Sequence, residues 1–146
     1  MKWLNLPIPG AVIRYHDLPG ATPAVVLLHG LGAAGSADLT GAACHPPLDR
    51  RRRLVIDFLG FGFSDRPQAF AYSLEDHARS VAAVLEAAGV AGAQVVGHSM
   101  GGTVAIILAS LRPDLVSALV VAEGNLDPGV GAGSARIAVW SEADYA

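Results

Sequence analysis

The stretch AQVVGHSMGGTVAIILA, residues 93–109, sets a serine between glycines where one apolar run gives way to another. The first run, AQVVGHS, predicts a β-strand, and the second, MGGTVAIILASL, predicts an α-helix. Gly97, Ser99 and Gly101 form the pattern G-x-S-x-G at their junction. A strand, a sharp turn and a helix in succession is the context in which this pattern exposes a serine nucleophile. Ser99 is therefore the candidate nucleophile.

The glycines at 97 and 101 have a steric reason. A serine on so sharp a turn sits in strained backbone, and side chains two residues before and after it would collide with the neighbouring strand or helix. The helix that begins at the serine directs its dipole and free N–H groups at a developing oxyanion, which favours acyl transfer. The alternative interpretation is a glycine-rich turn with an incidental serine.

The rest of the chain alternates predicted strands and helices. Strands are predicted for AVIRYHDL (11–18), PAVVLLHG (23–30), RLVIDF (53–58) and SALVVAE (117–123), and a helix for SLEDHARSVAAVLEAAG (73–89). Ser73 can cap that helix and Gly89 can end it. Its buried face is predicted to carry Leu74, Ala78, Val81, Leu85 and Ala88. This alternation predicts an α/β fold, a mostly parallel sheet with helices on both faces.

Composition limits the function classes. The 146 residues predict a single domain, and 52% hydrophobic against 16% charged residues predicts a large core. A net charge of −3 gives no reason to expect nucleic acid or an anionic membrane as a partner. The basic run at residues 50–53 predicts a solvated element edge rather than a phosphate site. Cys44, the single cysteine, is predicted to be a small buried or half-buried residue without a disulfide.

Two other segments carry local signals. The N-terminal MKWLNLPIPG has no signal-peptide apolar region, and no apolar run is long enough for a membrane span, so a soluble cytoplasmic protein is expected. Between residues 32 and 53, Gly41 and the pair Pro46 and Pro47 predict a short or broken helix.

A rival interpretation lies upstream of Ser99. Gly30, Gly32 and Gly35 follow a predicted strand in G-x-G-x-x-G spacing, and Asp57 ends a later one, as in a dinucleotide fingerprint. Against it, the acidic residue lies further on than the usual spacing of about 20 residues, and the helix that should begin at the glycines is poorly formed.

The same residues fit another family better. HGLG (29–32), DFLGFGFSDRP (57–67) and GHSMGG (97–102), in this order, resemble the α/β-hydrolase family. The resemblance covers residues 11 to about 123 but only the first part of that family's fold. It implies that residues 1–146 are a single, apparently truncated domain with an incomplete α/β-hydrolase fold. The core is expected at 11–123, and a glycine-rich loop and the start of a lid region at 124–146.

The resemblance assigns expected roles around Ser99. The backbone N–H groups of Leu31 and Met100 are implied as the oxyanion hole. The D-x-x-G-x-G-x-S-x-x-P turn is implied as scaffold beside the active site, with Gly60 and Gly62 allowing a tight reversal. Because both oxyanion groups belong to the backbone, the identity of the side chains is loosely constrained.

The acid and the base that should accompany Ser99 are harder to identify in the sequence. The family order is serine, then Asp or Glu, then histidine, yet the five histidines (His16, His29, His45, His77 and His98) all precede Ser99. The resemblance implies structural roles for His29 and His98, so the expected base is absent. Glu123 lies where the haloalkane dehalogenases place their acid, and Asp127 is the second candidate. Alternatively, Glu123 only binds neighbouring loop N–H groups.

Serine at position 99 points away from dehalogenase and epoxide-hydrolase chemistry, because those relatives use aspartate there. Esters, thioesters, lactones, amides and C–C bonds beside a carbonyl remain as substrate bonds for a small acyl compound, with no metal or cofactor implied. Two alternatives stay open: a catalytically inactive hydrolase-like fragment or binding module, and a dinucleotide-binding protein. The strand at 117–123 is expected at a sheet edge, where it invites self-association.

Overall fold

The computed structural model describes residues 1–125. Asp127, most of the glycine-rich loop and the expected start of a lid lie outside them. Six strands are present: β1 (Lys2–Asn5), β2 (Val12–Leu18), β3 (Ala21–Leu28), β4 (Arg51–Asp57), β5 (Ala93–His98) and β6 (Val116–Ala122). The α-helices among the described residues are α1 (Thr40–Ala43), α2 (Leu74–Ala87) and α3 (Met100–Leu111). A π-helical turn (Gly35–Leu39) and a 3₁₀ turn (Leu48–Arg50) complete the segment between β3 and β4.

The strands form one sheet in the order β1-β2-β4-β3-β5-β6. β4, β3, β5 and β6 are parallel to one another, whereas β2 runs antiparallel to both β1 and β4. The carboxyl ends of the parallel strands therefore lie along one edge of the sheet, where ligands bind in open α/β folds. The α/β class with a mostly parallel sheet, predicted from the sequence, is confirmed.

Helices cover both faces of this sheet. The larger core lies under α2 and α3, where Val26, Ile56 and Val95 are fully buried between sheet and helices. A smaller cluster on the opposite face packs strand side chains such as Val25 and Leu27 against the short α1. The short helix expected between residues 32 and 53 is therefore present, and it covers much less of the sheet than α2 and α3 do.

Helix α2 begins and ends as predicted. The Asp76 N–H donates to the Ser73 hydroxyl at 3.1 Å, and Gly89, with φ of 63°, follows the last turn. Ala78 is fully buried as expected, but Leu74 is 38% exposed.

Strand β1 was not among the strands predicted from the sequence. Two further predictions are corrected. The basic run is not a solvated edge: Arg53 lies within β4, is 6% exposed and donates to the Leu48 and Pro19 carbonyls. Cys44 is exposed, because it is Ala43 that faces the sheet at the end of α1.

No helix in the described part of the chain has the length and apolar character needed to cross a membrane.

Candidate functional site

Ser99 occupies the single residue between β5 and α3, at the carboxyl edge of the sheet. Its φ of 50° and ψ of −119° are unusual for a residue with a side chain. The Ser99 N–H donates to the Ala122 carbonyl at 2.8 Å, and the Ser99 carbonyl accepts from the N–H groups of Gly102 and Thr103. Both sides of the turn are therefore fixed, and the strained backbone is held by β6 on one side and by α3 on the other.

The glycines around Ser99 are packed too tightly for any side chain. A Cβ atom placed on Gly97 would overlap the Gly101 carbonyl group, and one placed on Gly101 would lie 2.5 Å from the carbonyl oxygens of Leu28 and His29. The turn thus brings α3 directly against the ends of β5 and β3. The steric reason inferred from the sequence is present in the structure.

The loop after β3 lies against Ser99. A Cβ atom placed on Gly30 would be 3.3 Å from the Ser99 Cβ and 3.0 Å from the His98 Nδ1. Leu31 follows on this loop with its side chain 48% exposed, and Met100 begins α3. Within residues 1–125, neither the Leu31 nor the Met100 N–H donates to a backbone carbonyl. Among the described residues, both N–H groups are therefore left without a backbone acceptor.

His29 is buried and both of its ring nitrogens are occupied. Nδ1 lies 2.8 Å from the Gly30 carbonyl oxygen, to which it donates, and Nε2 accepts from the Phe58 N–H at 3.1 Å. Burial lowers the pKa of this imidazole below its usual value, although its bond to Gly30 and the nearby Asp57 oppose the shift. His29 is a neutral ring that ties the loop after β3 to the end of β4, with no nitrogen left for a proton from Ser99.

An aromatic cluster that sequence reasoning missed lies beside His29. His77, 2% exposed on α2, packs against the rings of Phe58, Phe61, Phe70 and Tyr72, with centroids 5.0 to 6.3 Å away. Burial is the main cause that lowers the pKa of His77 to about 4; a proton on the nearby His29 would lower it too, and Asp76 opposes the shift. The Nδ1 of His77 has no hydrogen-bond partner among the described residues. The cluster residues all lie between Phe58 and His77, but they are irregularly spaced and most belong to the loop before α2, so no helix or strand periodicity indicated this cluster.

Asp57 organises the loops beside the site. Its buried carboxylate accepts from the N–H and the hydroxyl of Ser36 and from the N–H of Phe63. Gly62, with φ of 51°, comes so close to this carboxylate that a Cβ atom there would overlap it. Gly60, with φ of 90°, makes the preceding bend. The tight reversal expected from the sequence is present, and it wraps around an acidic side chain rather than around a ligand.

Glu123 and His98 form a pair at the ends of β6 and β5. The His98 Nε2 lies 3.3 Å from a carboxylate oxygen of Glu123, with the two side chains 53% and 83% exposed. Glu123 has φ of 57°, so the chain bends sharply where it leaves β6. The structure thus places the candidate acid one strand away from Ser99 and in contact with the histidine that precedes it. This contact had no signal in the sequence.

The described residues give little support to a metal site or to the dinucleotide site considered from the sequence. In the described part of the chain, no three His, Cys, Asp or Glu side chains are grouped as metal ligands. A dinucleotide site needs a helix that begins at the glycine-rich loop. Here Gly35 instead begins a five-residue π-helical turn. A Cβ atom placed on Gly35 would lie 2.5 Å from the Ile56 carbonyl oxygen, so this glycine packs against β4.

Comparison with known proteins gives consistent matches. A family model described as alpha/beta hydrolase fold matches residues 23–141. A 2-hydroxymuconate semialdehyde hydrolase of Pseudomonas putida is 38% identical over 106 residues, which cover 73% of this chain and 37% of that protein. A 2-hydroxy-6-oxo-2,4-heptadienoate hydrolase of Pseudomonas putida is 34% identical and covers 77% of this chain and 41% of its own length. The chain thus spans about two fifths of the length of these relatives.

Solved structures show the same fold. An N-acyl homoserine lactone degrading enzyme superposes with a TM-score of 0.75 at 30% identity, covering 90% of this chain and 51% of that one. An esterase from Thermogutta terrifontis superposes with a TM-score of 0.76 at 23% identity, covering 88% of this chain and 48% of that one. In both cases this chain matches about half of the solved protein.

Proposed function

Because this chain belongs to the α/β-hydrolase family, we propose that it carries the nucleophile of a serine hydrolase whose substrates are small acyl compounds: esters, thioesters, lactones or amides. The observation that supports this most directly is Ser99 itself. It lies at positive φ on the turn between β5 and α3, at the carboxyl edge of the sheet. A side chain held there at a cost in backbone strain is typical of a functional group.

In the proposed reaction, the Ser99 Oγ attacks the acyl carbon while its proton passes to a base. The carbonyl oxygen becomes an oxyanion, and the N–H groups of Leu31 and Met100 donate to it. The intermediate then expels the alcohol, thiol or amine, which takes the proton from the base. Water next attacks the acyl-serine, and the products are a carboxylic acid and the free serine.

The base in this proposal lies outside the 146 residues. His29 has both nitrogens engaged, and His98 faces Glu123. No histidine follows Ser99 in this sequence. We assign Glu123 as the acid that orients the base, since it ends the strand next to β5. In that role its carboxylate leaves His98 and turns to the incoming imidazole, which its 83% exposure allows.

The sequence relatives favour a second substrate class. Two of them carry the names 2-hydroxymuconate semialdehyde hydrolase and 2-hydroxy-6-oxo-2,4-heptadienoate hydrolase. For this chain the corresponding proposal is cleavage of a C–C bond beside a carbonyl, in which the leaving group is a stabilised carbanion that takes the proton. The alternative from a different class is a hydrolase-like binding module without catalysis.

The decisive experiment supplies the part of a relative that this chain does not match. Residues 1–123 are joined to the C-terminal part of the Pseudomonas putida 2-hydroxymuconate semialdehyde hydrolase, and labelling by a fluorophosphonate and hydrolysis of p-nitrophenyl butyrate are measured. We expect strong labelling and turnover in the chimera. In residues 1–146 alone, we expect at most the roughly 10³- to 10⁴-fold rate over water that remains when a triad member is lost.

Ser99→Ala should abolish both signals, while Ser110→Ala, at the far end of α3, should leave them unchanged. A folded chimera whose labelling is the same with and without Ser99 would remove the proposal. Strong Ser99-dependent hydrolysis by residues 1–146 alone would instead assign the base to an upstream histidine. A second measurement avoids the chimera: labelling of residues 1–146 in the presence of added imidazole, which stands in for the base, should rise and should require Ser99.

A further inference from the structure

A groove near β2, at the end of the carboxyl edge away from Ser99, is not used by the proposed chemistry. It is lined by Met1, Arg14, Phe63, Ser64, Asp65 and Arg66 and has a volume of about 540 Å³. We name it the rim groove. Arg14, one of the two arginines in this lining, belongs to β2, which is three strands away from β5 in the sheet. At about 4.8 Å per strand, this places the groove on the order of 14 Å from the Ser99 end of β5.

The floor of the rim groove is fixed by hydrogen bonds. The Ser64 hydroxyl is buried, donates to the Asp57 carbonyl at 2.6 Å and accepts from the Arg14 N–H at 2.8 Å. The guanidinium of Arg14 donates to the Phe63 carbonyl and to the Asp65 carboxylate, at 2.6 and 2.7 Å. The backbone that carries Phe63, Ser64 and Asp65 is therefore held in place beneath the groove.

The charged side chains of the rim groove leave one cation without a counter-charge. Arg14 is balanced by Asp65 in an ion pair. Arg66 is exposed, and within residues 1–125 its guanidinium has only a 3.4 Å contact with the Ser64 carbonyl and no carboxylate partner. A guanidinium with free donors in a fork geometry matches a carboxylate, because it can bind both oxygens at once.

The other side of the groove is apolar. Met1 is 52% exposed and Phe63 is 64% exposed. Both line the groove together with Arg66, so its surface has one apolar half and one cationic half. A ligand that fits both halves has an apolar body and a single negative charge.

We propose that the rim groove is a binding site for a small organic monoanion, a carboxylate with an aromatic or alkyl body, with the carboxylate on Arg66 and the body against Phe63 and Met1. This site is separate from Ser99 and does not depend on the proposed hydrolysis. No bond is made or broken in it.

The test is an NMR titration of the ¹⁵N-labelled full chain with 3-phenylpropionate, and with the neutral 3-phenylpropionamide as the comparison ligand. We expect saturable shifts of the Phe63, Asp65 and Arg66 amide signals. The carboxylate should bind about tenfold more tightly than the amide, since a charge-assisted hydrogen bond is worth about that factor. The difference should shrink as salt is added, because the charges are exposed.

Arg66→Gln should remove the preference for the carboxylate, and Phe63→Ser should weaken both ligands. Arg50→Gln is the matched control, because this exposed arginine precedes β4 and so lies at the amino end of that strand, away from the groove. Its replacement should change the affinity for neither ligand. Equal binding of acid and amide, or a preference that survives Arg66→Gln, would overturn the proposal. So would shifts confined to residues 29–31 and 98–100, or binding to anionic vesicles without saturable shifts by the small carboxylate.

Discussion

Asp57 accepts two hydrogen bonds from the single residue Ser36, one from its backbone N–H and one from its hydroxyl, each 2.8 Å long. The same carboxylate accepts from the Phe63 N–H at 2.9 Å, and Asp57 is only 1% exposed. One buried side chain therefore connects the segment after β3 to the loop after β4. These are the two loops that flank His29, so the geometry near Ser99 depends on a residue outside the proposed chemistry.

Replacing this carboxylate should destabilise the fold. Asp57→Asn places an amide NH₂ where an acceptor is needed, so at least one buried N–H or hydroxyl donor loses its partner. We expect the free energy of unfolding to fall by about 2 to 3 kcal/mol, measured by urea titration. Asp49→Asn, at an exposed position in the 3₁₀ turn, is the control and should stay within about 0.5 kcal/mol of the parent. Equal effects of the two variants would contradict the structural role of Asp57.

Stability should also depend on pH through His77. In the unfolded chain this imidazole takes a proton below about pH 6.5, but in the folded chain its pKa is about 4. Unfolding therefore takes up a proton between these values, so the stabilisation is complete above pH 6.5 and is lost as the pH falls toward 4. A shift of this size corresponds to about 3 kcal/mol. The lowered pKa of His29 acts in the same direction.

The measurement is urea unfolding at several pH values from 7.5 to 4. His77→Gln should reduce the slope of the free energy of unfolding against pH, by the equivalent of about one proton taken up on unfolding. The matched control is His45→Gln, since His45 is exposed, and it should leave the slope as it is in the parent. A parent chain whose stability stays constant over this range would show that His77 is not buried as a neutral ring.

The packing at Gly97 should tolerate no side chain at all. Gly97→Ala forces a methyl group against the Gly101 carbonyl, so we expect a loss of more than about 3 kcal/mol, and Gly97→Val a larger one. Gly41→Ala, in the short α1, has nothing within 4 Å of the added atom and should be neutral or stabilising by up to about 1 kcal/mol. The melting temperatures of both variants test this prediction, and similar values for the two would contradict the tight packing at Gly97.

The strain at Ser99 makes a separate prediction. Ser99→Gly should raise the free energy of unfolding by about 1 kcal/mol, because glycine adopts φ of 50° without a Cβ penalty. Ser99→Ala should change it little, since alanine keeps the Cβ atom. The comparison uses urea titration of the three chains. A glycine variant less stable than the alanine variant would show that the backbone at this turn is relaxed.

Self-association is expected through β6. Within the described residues this strand pairs only with β5, and Leu119 and Val120 are 38% and 57% exposed on it. An apolar strand at a sheet edge invites another chain. Light scattering at tens of micromolar should show dimers or larger species. Val120→Lys should shift them to monomer, while Ser110→Lys, the same change in charge on α3, should not. A parent chain that stays monomeric would refute this.

The sequence predicted the elements that repeat a local pattern. Five of the six strands and helix α2 followed from apolar runs and capping residues, and the strained turn at Ser99 followed from two glycines. Contacts between distant segments carried no such signal. The bond from the Phe58 N–H to His29 and the Glu123–His98 pair join residues that are 29 and 25 positions apart. Arg53 was misjudged for the same reason, since its partners are carbonyls of two other loops.

The two edges of the sheet offer very different surfaces to a second molecule. β1 has four residues, and its Lys2 is engaged with Asp17, whereas β6 has seven residues and is mainly apolar. Stacking β6 onto β1 of the next molecule would leave a free edge at each end and build a filament. Pairing β6 with β6 around a two-fold axis consumes both apolar edges in one step. The asymmetry of the sheet thus favours an assembly that closes on itself at two copies over one that keeps growing.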